Sequence, residues 1–243
     1  MKIAFTSKCR VSNEDIRRNE AYAGSLGHPN VGRAKHPRLA VVAGGPSILE
    51  QMDEIAGFDG EIWAINGAFR LLADRGIEAT FFTIDPTIDA VPLCVGAKRS
   101  VVATCCNSAL FRNLHGAHVD VVTIGPYGLP NGPTSASTVP VIAIERGNRE
   151  VTLFGCESSF GDTTHAYSNP VVAVSRLLIE CNGERFLTAP DMFMQAEMLS
   201  EMIRAAPVFL KERSGGLLRA MVESPDYDIV AASQSIHDAL EAA

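Results

Sequence analysis

Short apolar runs recur along this chain, and several are followed by apolar residues at the spacing of an α-helix. Runs of this kind are typical of buried strands, and their alternation with helical segments predicts an α/β fold with a parallel sheet. The main runs begin at residues 39, 61, 79, 100, 120 and 150; further strands are predicted over 183–188 and 227–231, and a long helix over 191–205.

The run that begins at residue 39 ends in a glycine-rich turn. Gly44 and Gly45 are followed by Pro46 and Ser47 and then by a helical pattern. Glycine permits strained backbone angles and close approach to a ligand, and proline suits the first position of a helix. Free amides at such a helix start attract anions, typically phosphate. The turn is a candidate phosphate site, with a purely structural bend as the alternative, because Gly-Gly-Pro-Ser is neither the Walker nor the dinucleotide pattern.

Polar residues stand at the ends of other predicted strands. Asn66 and Asp85 close the second and third runs, and Glu157 follows the run that begins at residue 150. The carboxyl ends of parallel strands share one edge of a sheet, where ligands bind in doubly wound folds. The sequence therefore predicts that these side chains and the glycine turn surround one ligand pocket.

Two further segments carry candidate chemistry. Ser135, Ser137 and Thr138 precede a helical pattern, where their hydroxyls either cap the helix or bind an anion. The loop after Glu157 contains His165 together with an acid and a phenol. That combination suits metal binding or proton transfer, with a simply exposed histidine as the alternative.

The chain is predicted to consist of an extension and a single domain. Residues 1–38 form the N-terminal extension, with a helix capped by Ser12, and residues 39–243 form the α/β domain. The basic residues between Arg33 and Arg38 either face solvent or lie over the phosphates of a ligand.

Composition and charge narrow the function classes. The chain has 243 residues, of which 47% are hydrophobic and 20% charged, which is enough to bury an α/β core. A formal net charge of -7 gives no basic face for duplex nucleic acid or for an anionic membrane. Small ligands are the expected partners, and the oligomeric state stays open. The six cysteines form no Cys-x-x-Cys pair, and no signal peptide or membrane-spanning run is evident, so reduced thiols and a cytoplasmic location are expected.

Several motifs follow one another in a defined order along residues 39 to 218. They are Val41-Val-Ala-Gly-Gly-Pro-Ser-Ile48, Ile62-Trp-Ala-Ile-Asn-Gly-Ala68, Gly76-Ile, Phe81-Phe-Thr-Ile-Asp-Pro86, the hydroxyl segment 134–138, Val151-Thr-Leu-Phe-Gly-Cys-Glu157, Thr164-His-Ala-Tyr167 and Ser214-Gly-Gly-Leu217. Their order and spacing resemble the family of 6-hydroxymethylpterin pyrophosphokinase MptE-like domains, which is distantly similar to the bacterial CMP-sialic acid sialyltransferases.

The resemblance implies a doubly wound, mostly parallel Rossmann-like sheet with helices on both faces. Family members characterised as enzymes transfer pyrophosphate from ATP to a hydroxymethyl pterin with magnesium, which implies an Mg-dependent transferase with a nucleoside triphosphate as donor. Carried over position by position, the resemblance places the nucleotide against Gly44, Gly45, Pro46, Ser47, Asn66, Ser135, Ser137, Thr138 and Gly155, and Asp85 near the metal or the acceptor.

Glu157 departs from the family pattern. The family commonly shows Gly-x-Asp after this strand, whereas this chain has Gly155-Cys-Glu157. A glutamate can still bind magnesium or a ribose, but its longer arm moves the charge outwards. In the first hypothesis Asp85 is a catalytic residue, Asp85 and Glu157 hold magnesium on the nucleotide, and Arg213 or the basic cluster supplies a cation.

Two alternatives to this transferase stay open from the sequence. One is a sugar-nucleotide glycosyltransferase that needs no metal, with His165 as the catalytic base that activates an acceptor hydroxyl. The other is a non-catalytic protein that binds a nucleotide and retains the fold, which the departure at Glu157 suggests.

Overall fold

A computed structural model of the chain describes residues 11–125, 128–161, 166 and 176–233. The strands are β1 (Arg38–Val42), β2 (Glu61–Ile65), β3 (Thr80–Thr83), β4 (Arg99–Ala103), β5 (His118–Val122), β6 (Glu150–Phe154), β7 (Arg176–Cys181), β8 (Glu184–Thr188), β9 (Leu210–Glu212) and β10 (Tyr227–Ser233). The α-helices are α1 (Asn13–Ser25), α2 (Met52–Ala56), α3 (Gly67–Ala73), α4 (Ser108–Asn113), α5 (Ser135–Arg146), α6 (Pro190–Ala205) and α7 (Gly216–Glu223), and 3₁₀ helices span Pro46–Leu49 and Ile88–Cys94.

The main sheet has seven strands, all parallel, in the order β5-β4-β3-β2-β1-β6-β9. Leu39 of β1 pairs with Glu61 on one side and with Val151 on the other, so β1 lies where the strand order changes direction. Ligands of doubly wound folds bind at the carboxyl ends of strands beside such a switch point. The predicted α/β fold is confirmed, and it places the ends of β1, β2 and β6 at one position on the sheet edge.

A second, antiparallel sheet of three strands, in the order β10-β7-β8, was not predicted. Its own apolar core includes Leu177 and Ile179 of β7, Phe193 of α6 and Met221 of α7. The sequence predicts β8 and β10 but not β7. The three apolar residues from Leu177 to Ile179 are flanked by charged residues, which leaves a run too short to reveal a strand period.

Predictions from local sequence signals were confirmed for several elements and were wrong for one helix. The Ser12 hydroxyl accepts a hydrogen bond from the Asp15 amide at the start of α1, as the capping prediction requires. The helical pattern after the glycine turn, in contrast, is broken into the 3₁₀ helix Pro46–Leu49 and α2. The described cysteines are free thiols, and four of these five are buried, in agreement with the prediction. Along the described part of the chain, no helix is long and apolar enough to cross a membrane.

The basic cluster lies at the amino edge of the sheet, opposite the carboxyl ends of the strands. Arg38 opens β1 and forms ion pairs with Glu150 at 3.1 Å and with Asp59 at 3.6 Å. The amides of Lys35 and His36 donate to Glu61 Oε1 at the start of β2. The structure therefore places this cluster away from the carboxyl-edge residues that were predicted to hold the phosphates of a ligand.

A buried ion pair stabilises this amino edge. Arg146, at the end of α5, has a side chain that is 6% exposed, and its Nη2 donates to Glu61 Oε2 at 2.7 Å while its guanidinium lies over the Trp63 ring. Burial alone raises the pKa of Glu61, but the hydrogen bond and charge of Arg146, with the amides of His36 and Lys35, hold that pKa below its ordinary value of 4.5.

We expect Glu61→Gln to lower the free energy of unfolding by about 2 kcal/mol at pH 7, because it leaves the buried Arg146 without its counter-charge. A carboxylate whose pKa is lowered by folding stabilises the protein above its unfolded pKa, and this contribution disappears as the pH falls through its lower, folded value. Urea denaturation at pH 7 and at about pH 3.5 should therefore show a difference between wild type and variant that shrinks at the lower pH.

Glu14→Gln is the matched control, since Glu14 pairs with Arg18 on the exposed face of α1 at 2.9 Å. An exposed pair of this kind contributes less than about 1 kcal/mol. If Glu61→Gln lowered the free energy of unfolding no more than Glu14→Gln does, the buried ion pair would not be a stabilising contact.

Candidate functional site

A cavity of about 250 Å³ opens at the carboxyl edge of the main sheet. Its walls come from the ends of β1, β2 and β6, the start of α5 and the start of α6. Of the residues predicted from the sequence, it is lined by Gly44, Gly45, Asn66, Ser135, Gly155 and Glu157. The prediction that residues far apart in the sequence meet at this edge agrees with the structure.

Two larger cavities lie elsewhere on the protein. One, of about 540 Å³, opens at the amino edge beside Lys35, Glu61 and Arg99; the other, of about 630 Å³, lies between α1 and the loop after β3. Glu61 already has hydrogen-bond partners at the first. The smaller cavity is the stronger candidate because it lies at the switch point and contains polar atoms without partners.

The Glu157 carboxylate is the most constrained group in this cavity. The residue is 9% exposed, and its Oε1 accepts a hydrogen bond of 2.6 Å from the Ser47 amide. Its Oε2 is buried and has no hydrogen-bond partner among the described residues. A buried carboxylate oxygen without a donor is costly, so this atom is a candidate contact for a cation or for a donor group of a ligand.

The glycine turn holds the Glu157 carboxylate at the place where a phosphate was predicted. The Ser47 amide donates to Glu157, and the Gly45 amide donates to the Gly155 carbonyl at 2.9 Å. Pro46 has no amide hydrogen, and neither it nor Ser47 lines the cavity. Because these donors are already used within the chain, the turn positions an acidic side chain in this structure.

Position 45 requires glycine because there is no room for a side chain. The sequence had suggested that strained backbone angles were the reason. The φ of -67° and ψ of 152° at Gly45 are open to any residue. A Cβ at this position would overlap Glu157 Oε2 and would lie 2.6 Å from the Gly155 carbonyl oxygen. Gly155, with φ of 66°, does use the left-handed region that favours glycine. Gly45 therefore leaves the space that the carboxylate fills, whereas a Cβ at Gly155 would meet Ile48 and the Ala43 carbonyl.

Asn66 combines a strained backbone with an unpartnered side-chain oxygen. Its φ of 49° and ψ of -124° are rare for a residue with a side chain and cost on the order of 1 to 3 kcal/mol. Its amide donates to the Phe82 carbonyl, but Oδ1 is buried and has no donor among the described residues. Strain of this type is concentrated at functional sites, and here it presents an amide side chain at the cavity wall.

The hydroxyl segment divides into a capping part and a cavity part. Thr134 caps α5 in a reciprocal box with Ser137, and Thr138 Oγ1 accepts a hydrogen bond from the Gly132 amide. Ser137 and Thr138 are fully buried and bonded within the chain, Ser137 in the capping box and Thr138 also as a donor to the Thr134 carbonyl, whereas Ser135 lines the cavity. The Thr-x-x-Ser spacing at the start of this helix was the signal for a capping box.

Asp85 is not part of this cavity. Its carboxylate accepts from the Thr87 amide at 2.8 Å in the loop after β3. Since β2 and β1 separate β3 from β6, Asp85 and Glu157 follow strands about 14 Å apart. The structure therefore does not bring together the two carboxylates predicted to share magnesium. His165 lies outside the described residues, and Arg213 pairs with Glu54 at 3.3 Å.

Residues that the sequence did not indicate complete the cavity wall. The Gln195 amide of α6 donates to Ser158 Oγ at 2.8 Å and accepts from the Thr134 hydroxyl. Thr188 Oγ1 of β8 donates to the Ser158 carbonyl at 2.6 Å. Asp191, in the first turn of α6, is a second carboxylate on the wall. The only local signal for it was the Pro-Asp start of a helix.

The cavity wall is acidic along its described part. Glu157 and Asp191 are its charged residues, and no lysine, arginine or histidine contributes there. No group of three histidine, cysteine or acidic side chains that could hold a metal occurs among the residues that the structure describes. Magnesium is commonly bound by one or two carboxylates together with the phosphates of a substrate, which the unpartnered oxygens of Glu157 and Asn66 would fit.

Comparisons of the chain with protein-family models, with curated proteins and with solved structures give no match. The resemblance to the MptE-like family therefore stays a prediction from the motifs, and the function is inferred from the site.

We expect Gly45→Ala to lower the free energy of unfolding by about 2 kcal/mol, because the added methyl group overlaps Glu157 Oε2 while the backbone angles of residue 45 remain acceptable to alanine. Urea denaturation at neutral pH measures this change. Gly24→Ala is the control, since that glycine lies in α1 with open space around it and should gain about 0.5 to 1 kcal/mol. A Gly45→Ala variant as stable as wild type would contradict the packing described for Glu157.

Proposed function

We propose that the protein is a nucleotide-dependent transferase that binds a magnesium nucleoside triphosphate in the carboxyl-edge cavity. The observation that carries this proposal is the Glu157 carboxylate, which is buried at the switch point of a parallel sheet with one oxygen held by the Ser47 amide and the other unpartnered. An acidic wall would repel a bare triphosphate more strongly than its magnesium complex, whose net negative charge is smaller. The acidic cavity therefore favours a metal-bound donor.

The wall residues supply the contacts that such a donor requires. Glu157 Oε2 and Asn66 Oδ1 are the oxygens available to hold magnesium, and Ser135 at the start of α5 provides a hydroxyl and a positive helix end for phosphate oxygens. Gly44, which also lines the cavity, has no side chain to obstruct a nucleotide there. When bound, magnesium would neutralise the charge of the phosphates.

The reaction supported by the resemblance is transfer of pyrophosphate to a hydroxymethyl group of a pterin-like acceptor. The acceptor oxygen forms a bond to the β-phosphorus while the bond from that phosphorus to the oxygen shared with the α-phosphorus breaks, and AMP leaves with that oxygen. Asp191, exposed on the wall, is the candidate base for the hydroxyl proton. Positioning and charge neutralisation provide most of the catalysis in transfers of this type.

A glycosyl transfer from a sugar nucleotide is the second candidate. It is favoured by Glu157 and Asp191, the two carboxylates on the cavity wall, since such a transfer needs a general base and can proceed without a metal. In this candidate no metal takes part, and Glu157 or Asp191 acts as the base for an acceptor hydroxyl. The sequence predicted this role for His165. Binding that does not depend on magnesium distinguishes it from the first candidate.

We expect wild-type protein to bind ATP in calorimetric titrations about tenfold or more tightly when magnesium is present than when it is absent. Glu157→Gln should weaken this binding by about tenfold or more, because glutamine retains an acceptor for the Ser47 amide but replaces the free carboxylate oxygen by an amide nitrogen. Titrations with GTP, CTP and UDP-sugars, with and without magnesium, identify the donor, and AMP release with a hydroxymethyl pterin tests the transfer.

Glu184→Gln is the control for the loss of one negative charge, since Glu184 is exposed on β8 outside the cavity. It should bind ATP as wild type does. Absence of nucleotide binding by the wild-type protein, with or without magnesium, would refute the proposed function. Binding without turnover on any acceptor would refute the transfer and leave a nucleotide-binding protein.

A further inference from the structure

Arg176 is a buried arginine at the start of β7, beside the candidate site. It is 3% exposed, and its guanidinium carbon lies 3.9 Å from the centre of the Phe160 ring. Phe160 directly follows the cavity residue Ser159, and its amide donates to the Leu187 carbonyl of β8. The second sheet therefore brings an arginine close to the cavity, although the residue lies outside every motif singled out from the sequence.

The guanidinium of Arg176 lacks the partners that a buried arginine needs. Its Nε and Nη1 are buried and have no hydrogen-bond acceptor among the described residues. Burial lowers the pKa of Arg176, and the charge of Asp191 acts in the opposite direction without forming an ion pair with it in the described part of the chain. Burying a charged group without a partner is costly, and arginine is the side chain best suited to bind the oxygens of phosphate or carboxylate.

The amino end of α6 is close to the same arginine, because Leu177 pairs with Thr188 in the second sheet and Arg176 and Ala189, the N-cap of α6, are the adjoining residues. This helix is 16 residues long, and its N-cap residue Ala189 provides no side-chain hydrogen bond to the first turn. Asp191 and Met192 of that turn line the cavity. The unpaired amides and the dipole at the start of a helix attract an anion, and the positive charge of Arg176 does the same.

We propose that Arg176 and the amino end of α6 form an oxyanion subsite at the side of the carboxyl-edge cavity. The ligand group it takes is a phosphate or carboxylate, with Arg176 donating from Nε and Nη1. The identification of this group as part of the nucleotide or the acceptor rests on the proposed function, whereas the subsite itself rests on Arg176 and α6. The subsite supplies the positive charge that was predicted for Arg213 or the basic cluster and that neither brings to this cavity.

Inorganic pyrophosphate without metal is the probe for this subsite. Calorimetric titration should show binding to wild type that weakens as salt is raised, and Arg176→Met should weaken it by about tenfold or more, because methionine fills a similar volume but donates no hydrogen bond. Arg176→Lys retains the charge without the planar fork and should give an intermediate affinity. Arg17→Met removes an exposed arginine of α1 and should bind pyrophosphate as wild type does.

The outcomes separate this subsite from the proposed function. Equal pyrophosphate affinity of wild type, Arg176→Lys and Arg176→Met, or no binding by wild type, would overturn the subsite. Should Arg176→Met fail to fold, Arg176→Lys with wild-type affinity and wild-type salt dependence would overturn it as well. Glu157→Gln should still bind pyrophosphate, even though it loses the magnesium nucleotide. Competition between ATP and pyrophosphate assigns the subsite to the donor, and lack of competition assigns it to an anionic acceptor.

Discussion

The hydrogen bond from the Ser47 amide to the Glu157 carboxylate determines how the carboxyl edge of this protein is arranged. It joins the segment after β1 to the segment after β6, directly at the switch point of the sheet. Gly45 leaves the space for the carboxylate, and its amide donates to the Gly155 carbonyl. Because one carboxylate oxygen is held in this way, the other is presented in a fixed position, which is the property a binding site requires.

Three layers of structure meet around that carboxylate. The parallel sheet contributes Glu157 and Asn66, the start of α5 contributes Ser135, and the start of α6 contributes Asp191. Buried hydrogen bonds fix the layers to one another, through Gln195 to Ser158 and Thr134 and through Thr188 to the Ser158 carbonyl. The two sheets have separate apolar cores, but α6 and α7 contribute residues to both cores and so connect them, and the polar contacts around Ser158 add to this connection.

Sequence reasoning succeeded where the signal is local or follows from strand direction. The parallel sheet and the placement of Asn66 and Glu157 at a shared edge could be predicted, because apolar runs identify strands and their carboxyl ends must meet. From the sequence, the Ser47 amide and the Ser137 hydroxyl could either bond within the chain or bind a ligand. Which of the two they do depends on the partners that the fold brings near them. Arg176 and Asp191 were missed because their importance comes from contacts across the second sheet, whose strand β7 has no clear period.

The residues that line the cavity are far apart along the chain, which affects the order in which the cavity forms during folding. The wall draws on residues from Ala43 to Gln195, and the parallel pairing of β1 with β6 closes a loop of more than a hundred residues. Contacts this distant in sequence form late, since their entropy cost must be met before they stabilise the chain. During synthesis, the sheet edge can exist before α6 has left the ribosome, but a closed pocket cannot. The cavity wall is therefore complete only once the chain from Ala43 to Gln195 is available to fold.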